Sequence, residues 1–243
     1  MQHPALKQQL LCQYPYKVEL HAHCSPASPC GDLPAAEVVR IFHDCGYHGM
    51  ALTNHFFPRL SQQILGEMDK EKYLAMYFEN YRAALEEGEK LGMPVWLGAE
   101  LRWSHLGDSD YLIYGVDEPM LREIFDYLDA DPATFVRDCK SEKSFWVQAH
   151  PFRSNCTPLD AALLDGVEIF NMHPNHNSRV ALAAQYYRDQ GLCLTLGTDY
   201  HHPGHHDLCA TRLPVLPQDS FALAAQLKSG DYIMQLGESL ILP

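Results

Sequence analysis

The chain has 243 residues, 47% hydrophobic and 20% charged, which is enough for one well-buried core and typical of a globular protein. A net charge of −13 leaves no basic face to follow a nucleic-acid backbone and argues against a polynucleotide-binding module. The N-terminal residues lack a secretory apolar core, no run is long enough to span a membrane, and the 8 cysteines form no Cys-x-x-Cys pair; a cytoplasmic protein with reduced thiols is expected.

In chain order, Lys17 to Leu20 is apolar and β-favouring and runs into His21-Ala22-His23, after which Cys24-Ser25-Pro26 breaks the strand. Side chains two apart share a strand face, so His21 and His23 can present imidazoles to one ion. Gly31-Asp32-Leu33-Pro34 opens a helix whose Ala35, Val38, Val39 and Phe42 form one buried stripe. Gly49 to Thr53 is a second strand finishing at Asn54-His55, and a long helix is expected around Asp69 to Leu91. Val95 to Ala99 is a third strand ending at Glu100. Ser104 to Ser109 is turn-like, and Asp110 to Gly115 is a fourth strand followed by Asp117.

Helical pieces cover about Pro119 to Leu128 and Pro132 to Lys140. Ser144 to Ala149 is a fifth strand ending at His150-Pro151-Phe152-Arg153, and Gly166 to Phe170 a sixth ending at Asn171. A helix from about Ser178 to Gln190 precedes a seventh strand, Leu192 to Leu196, ending at Gly197-Thr198-Asp199-Tyr200-His201. An apolar segment near Phe221 to Leu227 closes the fold. Short strands alternating with helices call for parallel β/α units, and about seven of them favour a barrel over an open sheet.

The chain also carries 14 histidines, more than packing requires. His21, His23, His55, Glu100, His150, Asp199 and His201 all fall at strand ends, where a β/α barrel places its reacting groups. Imidazole mixed with carboxylate suits zinc, manganese or iron and argues against a pure magnesium site. A glutamate among histidines can bridge two cations, with a metal-bound water or hydroxide as nucleophile.

The ordered set of His-x-His, Thr53-Asn54-His55, Gly98-Ala99-Glu100, Ala149-His150-Pro151-Phe152 and Asp199-x-His201 resembles the polymerase and histidinol phosphatase (PHP) family, over roughly Val18 to His201. The resemblance implies one distorted (β/α)7 TIM-like barrel domain over residues 1–243 that holds two or three divalent ions and hydrolyses phosphoesters. It implies that His21, His23, Glu100 and Asp199 bind one ion, that Glu100 bridges to a second held by His150, and that His55 and His201 belong to a third. Glu100, Asp199 and His201 are then the catalytic set. The family often has a threonine after His-x-His, and here it is Cys24. Asn54 stands where the family usually has aspartate and reads as support rather than a ligand. A further histidine expected six residues after His23 is Pro29, so Cys30 or Asp32 must replace it. Another is replaced by Asp117, failing which Asp110 or His105 is available.

Arg153 is placed to fork onto a substrate phosphate, its alternative being a surface pair with a neighbouring acid. His176 is assigned to substrate binding, among loop histidines His173, His202, His205 and His206, one of which could be a general acid. Cys24 and Cys30 read as packing residues, with soft ligation or oxidation as the alternative, and Glu168 as a buried, paired strand carboxylate. His3, His43 and His48 read as surface residues. The expected activity is hydrolysis of a small phosphomonoester, with no membrane or nucleic-acid partner and no oligomeric state specified. A metal-dependent amidohydrolase and a non-catalytic metal-binding module are the rival readings.

Overall fold

The computed structural model describes residues 4–103 and 105–243; His3 and Ser104 lie outside them. The elements begin with α1 (Pro4–Gln13), β1 (Tyr16–Glu19), α2 (Ala35–Asp44), β2 (Gly49–Leu52), β3 (His55–Phe56), α3 (Pro58–Leu65) and α4 (Lys70–Leu91). Then come β4 (Val95–Leu97), β5 (Ala99–Arg102), β6 (Asp110–Tyr114), α5 (Glu118–Tyr127), α6 (Pro132–Asp138), β7 (Phe145–Gln148) and β8 (Gly166–Asn171). The chain continues through α7 (Val180–Tyr186), β9 (Cys193–Gly197), β10 (Cys209–Leu213), α8 (Ser220–Ser229), β11 (Ile233–Leu236) and β12 (Ser239–Ile241). No helix among the described residues is long and apolar enough to cross a membrane.

Local chemistry accounts for the helices. In α2 the stripe Ala35, Val38, Val39 and Phe42 is buried. The Asp69 side chain accepts a hydrogen bond from Lys72 N at the start of α4, and Gly92, at φ 69°, ends it in the left-handed conformation that glycine adopts without penalty. Between these caps Tyr73, Leu74, Tyr77 and Phe78 pack with Phe56 and Phe125 in one of three apolar clusters.

The strands form a mixed α/β structure of two six-stranded sheets, ordered β12-β11-β10-β1-β2-β4 and β3-β5-β6-β7-β8-β9. The expected parallel pairs are present: β1 with β2, β2 with β4, β7 with β8 and β8 with β9. One departure from an all-parallel arrangement bears on function. β6 is antiparallel to both β5 and β7. The link from Arg102 to Asp110 is too short for a crossover helix, so the chain turns back as a hairpin and Asp110, not Asp117, comes to the glutamate-bearing end. The second departure is a C-terminal meander, β10 to β12, laid antiparallel on β1, which the sequence reading does not contain.

The two sheets meet where the strand extensions carry the histidines. Thr53 N donates to Ala22 O at 3.0 Å, Glu100 N to Asn54 O at 2.9 Å and His23 N to Tyr200 O at 2.9 Å. Glu19 adds a side-chain stitch, its Oε1 accepting from His21 N at 2.8 Å and from Thr198 N at 3.0 Å. Burial pushes the Glu19 carboxyl up to about 7. Gly197 completes the closure, because a Cβ there would sit 2.4 Å from His21 Cβ and 2.7 Å from Glu168 Oε1.

Candidate metal centre

All seven expected ligands converge on one place. His21, His23, Glu100, His150 and Asp199 are essentially inaccessible, and His55 and His201 sit at the rim. Two of these residues have left-handed backbones, His150 at φ 29° and Asp199 at φ 51°, a strained geometry that clusters at functional sites.

The inner group is oriented by residues on other elements. His21 Nδ1 is 2.8 Å from Glu168 Oε1, which leaves Nε2 facing inward. His23 Nδ1 is 3.1 Å from Ser28 Oγ, and that hydroxyl donates in turn to Asn54 Oδ1 at 2.8 Å. Asn54 is thus a support, as the sequence suggests, while Ser28 escaped sequence reasoning altogether. Asp199 is fixed through Oδ2, which accepts from Asn171 Nδ2 at 3.1 Å and Arg153 Nη1 at 3.0 Å, so that Oδ1 is the free face.

The separations of the inner donors test whether an ion fits. His21 Nε2 lies 3.1 Å from His23 Nε2, 3.2 Å from Glu100 Oε1 and 3.4 Å from Asp199 Oδ1. His23 Nε2 lies 3.3 Å from Asp199 Oδ1 and 3.4 Å from Glu100 Oε2. A tetrahedral ion with nitrogen and oxygen bonds of about 2.0–2.1 Å has ligand–ligand edges of about 3.3–3.4 Å. The two imidazole nitrogens stand at about such an edge from each other and from an oxygen of each carboxylate, Glu100 offering Oε1 to His21 and Oε2 to His23, a spacing that suits a divalent ion. Glu100 Oε2 and His55 Nδ1, both buried, pair with each other at 2.5 Å.

Electrostatics match. Burial alone would raise the Glu100 and Asp199 carboxyls, yet the surrounding imidazoles hold both well below the usual carboxylate range. For His55, burial lowers the pKa but Glu100 reverses this, to about 10; for His150, burial is overcome chiefly by hydrogen bonds to Cys156 and Glu100, again to about 10. His23 goes the other way, lowered by burial and by the neighbouring His201 and His55. A cluster this rich in opposed charges is one that divalent cations could enter by replacing the protons on the imidazoles.

Further imidazole and carboxylate donors surround the inner four. His150 Nε2 is 3.3 Å from Glu100 Oε1 and 3.8 Å from Asp110 Oδ2. Asp110 is clasped by Arg102 at 2.6 and 2.7 Å. Asp117 instead accepts from Met120 N as the cap of α5, and His105 is exposed in the turn. On the other side His23, His55 and His201 group their ring nitrogens within 4.8 Å.

Burial raises the Cys30 thiol, but hydrogen bonds with His201 and His55 more than offset this and bring it to about 6. Asp32 turns to His202, 2.8 Å away. Cys24 is buried and bonds to Asn80 Oδ1 at 3.0 Å, a packing role. Outside the cluster, a ladder of imidazoles leads to the surface: His201 to His173 at 5.1 Å between ring centres, and His173 to the exposed His176 at 4.3 Å. His173 and His176 also line a cavity of about 340 Å³ with Asn171, Asn177 and Arg179. A cavity of about 400 Å³ lies away from the cluster, between β8, β9 and α7.

No family model and no curated protein matches this chain. Solved structures do. A two-domain protein from Bacteroides vulgatus containing a predicted PHP-like metal-dependent phosphoesterase aligns with TM-score 0.63 and 17% identity, over 93% of this chain and 66% of its own. This chain thus spans 66% of that two-domain protein's length. PsfC from Pseudomonas syringae aligns with TM-score 0.54 and 16% identity over 87% of each chain. These two likenesses show a shared fold. An amidohydrolase from Chromobacterium violaceum aligns over 77% of this chain with TM-score 0.48, a likeness too low to favour either hydrolase class.

Proposed function

We propose that this chain is a metal-dependent hydrolase, a phosphoesterase of the PHP type that cleaves a small phosphomonoester, with its two sheets as the walls of a distorted β/α barrel. The observation that carries this reading is the close approach of the His21 and His23 ring nitrogens to each other and to the buried carboxylates of Glu100 and Asp199. In it, His21, His23, Glu100 and Asp199 would hold the first ion, Glu100 with His150 and Asp110 would offer donors to a second, and His55 and His201 would serve a third. Divalent zinc, manganese or iron bound there would supply Lewis acidity toward phosphoryl oxygens and a nucleophile at neutral pH.

The remaining work falls to this chain's own side chains. Arg153 engages Asp199 through Nη1 and keeps further guanidinium donors for a phosphate oxygen, so one residue ties substrate position to ligand position. His176, exposed beside His173 on the wall of the 340 Å³ cavity, contacts the leaving group, and the size of that cavity suits a small ester. Glu100 and Asp199, held ionised, balance the positive charge that the reaction needs concentrated around the phosphate.

The test is phosphate release from an aryl phosphate and a panel of small phosphomonoesters by protein reconstituted with manganese or zinc. Metal-dependent release supports the reading. Metal-loaded protein that frees no phosphate from any of them, but cleaves amides, overturns it in favour of the amidohydrolase class.

A further inference from the structure

Two carboxylates of the cluster carry an arginine, and they carry it differently. Asp199 takes its supports on one oxygen: Arg153 Nη1 and Asn171 Nδ2 donate to Oδ2 at 3.0 and 3.1 Å, while Oδ1 faces His21 and His23. Asp110, fully buried, gives both oxygens to one guanidinium. Arg102 Nε donates to its Oδ1 at 2.6 Å and Nη2 to its Oδ2 at 2.7 Å. Strand pairing sets this up, because Arg102 and Asp110 lie directly opposite each other in the antiparallel β5–β6 ladder, and Arg102 shares a strand face with Glu100 two residues before it. His150 Nε2 stands 3.3 Å from Glu100 Oε1 but 3.8 Å from Asp110 Oδ2. The guanidinium also has a second partner within reach. Its Nη1 is 3.9 Å from Oδ1 of Asp108, an exposed carboxylate whose Oδ2 accepts from Asn155 Nδ2 at 3.1 Å.

We propose that Arg102 competes with a divalent cation for Asp110: its guanidinium holds the carboxylate that an ion beside His150 and Glu100 needs, and the ion enters as Arg102 moves from Asp110 to Asp108. A support leaves one oxygen for the ion, as Arg153 does on Asp199, whereas a bidentate fork takes a lone pair from each oxygen at once. Charge points the same way. In the reading above Glu100 already serves the first ion, and Arg102 neutralises Asp110. A dication arriving beside His150 therefore meets little uncompensated negative charge while the pair is closed. Opening the pair gives one carboxylate to the ion and leaves Arg102 beside another, so neither charge is stranded. The inference rests on the metal-binding reading of the cluster and its second position, and not on which bond is hydrolysed.

Zinc is the probe, titrated into metal-free protein against a competing chelator. Wild type binds one ion tightly and a second weakly. Arg102→Gln keeps the length of the side chain and removes its charge. In it the second ion binds roughly tenfold or more tighter, the order expected for one unit charge a few ångströms away, and the first is unchanged. Adding Asp110→Asn to that variant abolishes the gain. A second ion that binds equally well or more weakly in Arg102→Gln overturns the proposal, because Arg102 is then a support for Asp110 and not its competitor. A check that needs no variant is a crystal of wild type grown with excess zinc: where the second position is filled, Arg102 has left Asp110 for Asp108. A filled position with the fork still closed on Asp110 overturns the proposal as well. A wild type that binds no ion among His21, His23, Glu100 and Asp199 overturns the metal-binding reading itself, and this inference with it. None of these readouts requires turnover, so a chain that hydrolyses no phosphoester can still pass them.

Discussion

His21 and His201 each have a ring nitrogen 3.4 Å from Asp199 Oδ1, yet they are held in opposite ways. His21 is fully buried, and its outer nitrogen is clamped by Glu168, a carboxylate from a different strand. His201 lies in the loop after β9, is fixed by the backbone oxygen of Asp199, and opens toward the imidazoles of the surface. The inner donors are aimed before any ion arrives, whereas the outer ones are set by loops. Orienting partners for histidine ligands govern affinity nearly as strongly as the ligands themselves, so the inner position is expected to fill first and hold longest.

Breaking the inner set gives the largest effect. Asp199→Ala is expected to abolish turnover and lower metal content while the fold survives, read by elemental analysis beside circular dichroism. Full activity with unaltered metal would remove Asp199 from the site. Next comes Arg153→Ala, which removes one charge-assisted contact worth about 2–3 kcal/mol, or roughly two decades in kcat/KM. Its KM for phosphate esters should rise while metal content holds, because Asn171 still supports Asp199. Kinetics within about twofold of wild type would leave Arg153 as a structural partner of Asp199 only.

The comparison sharpens with two supports of the same chemistry. Glu168→Gln should weaken the tightest ion by roughly 10- to 100-fold, measured by competition with a chelator. Ser28→Ala, which removes a neutral partner from His23, should fall at the low end of that range. Equal losses in the two variants would contradict the idea that a charged clamp distinguishes His21.

The smallest effect is on stability against pH. In metal-free protein His55 and His150 are raised to about 10 from 6.5. A raised histidine stabilises the fold fully below its unfolded pKa, and that stabilisation is lost as pH climbs through the folded value. Glu100 and Asp199 are lowered, so their contribution is lost at the other end, as pH falls. Metal-free protein should therefore lose Tm between about pH 6.5 and 10, while zinc-loaded protein holds its Tm there, because ions no longer compete with those protons. Parallel Tm curves for the two forms would argue that the ions do not occupy these imidazoles.

Much of this site is legible in the residues. A two-residue alternation is enough to put His21 and His23 on one side, and Asp69 and Gly92 bound α4 as the long helix expected between them. Strand direction is harder to read. The pairing of β6 with β5 depends on how the chain gets from Arg102 to Asp110, and reversing one strand moves the expected carboxylate from Asp117 to Asp110. The length of that link is the signal that could have shown it. Ser28 is illegible for another reason: a loop serine is informative only once folding brings Asn54 and His23 to it. The β10–β12 meander has little periodic signature because its strands alternate over too few residues.

The most direct test of the inner cradle is anomalous diffraction at the metal edge on crystals of protein loaded with zinc. The account predicts the strongest peak among His21 Nε2, His23 Nε2, Glu100 and Asp199 Oδ1, with weaker density toward His150 and toward His55 and His201. No peak inside those four donors, with metal bound only at the rim or elsewhere on the surface, would contradict it.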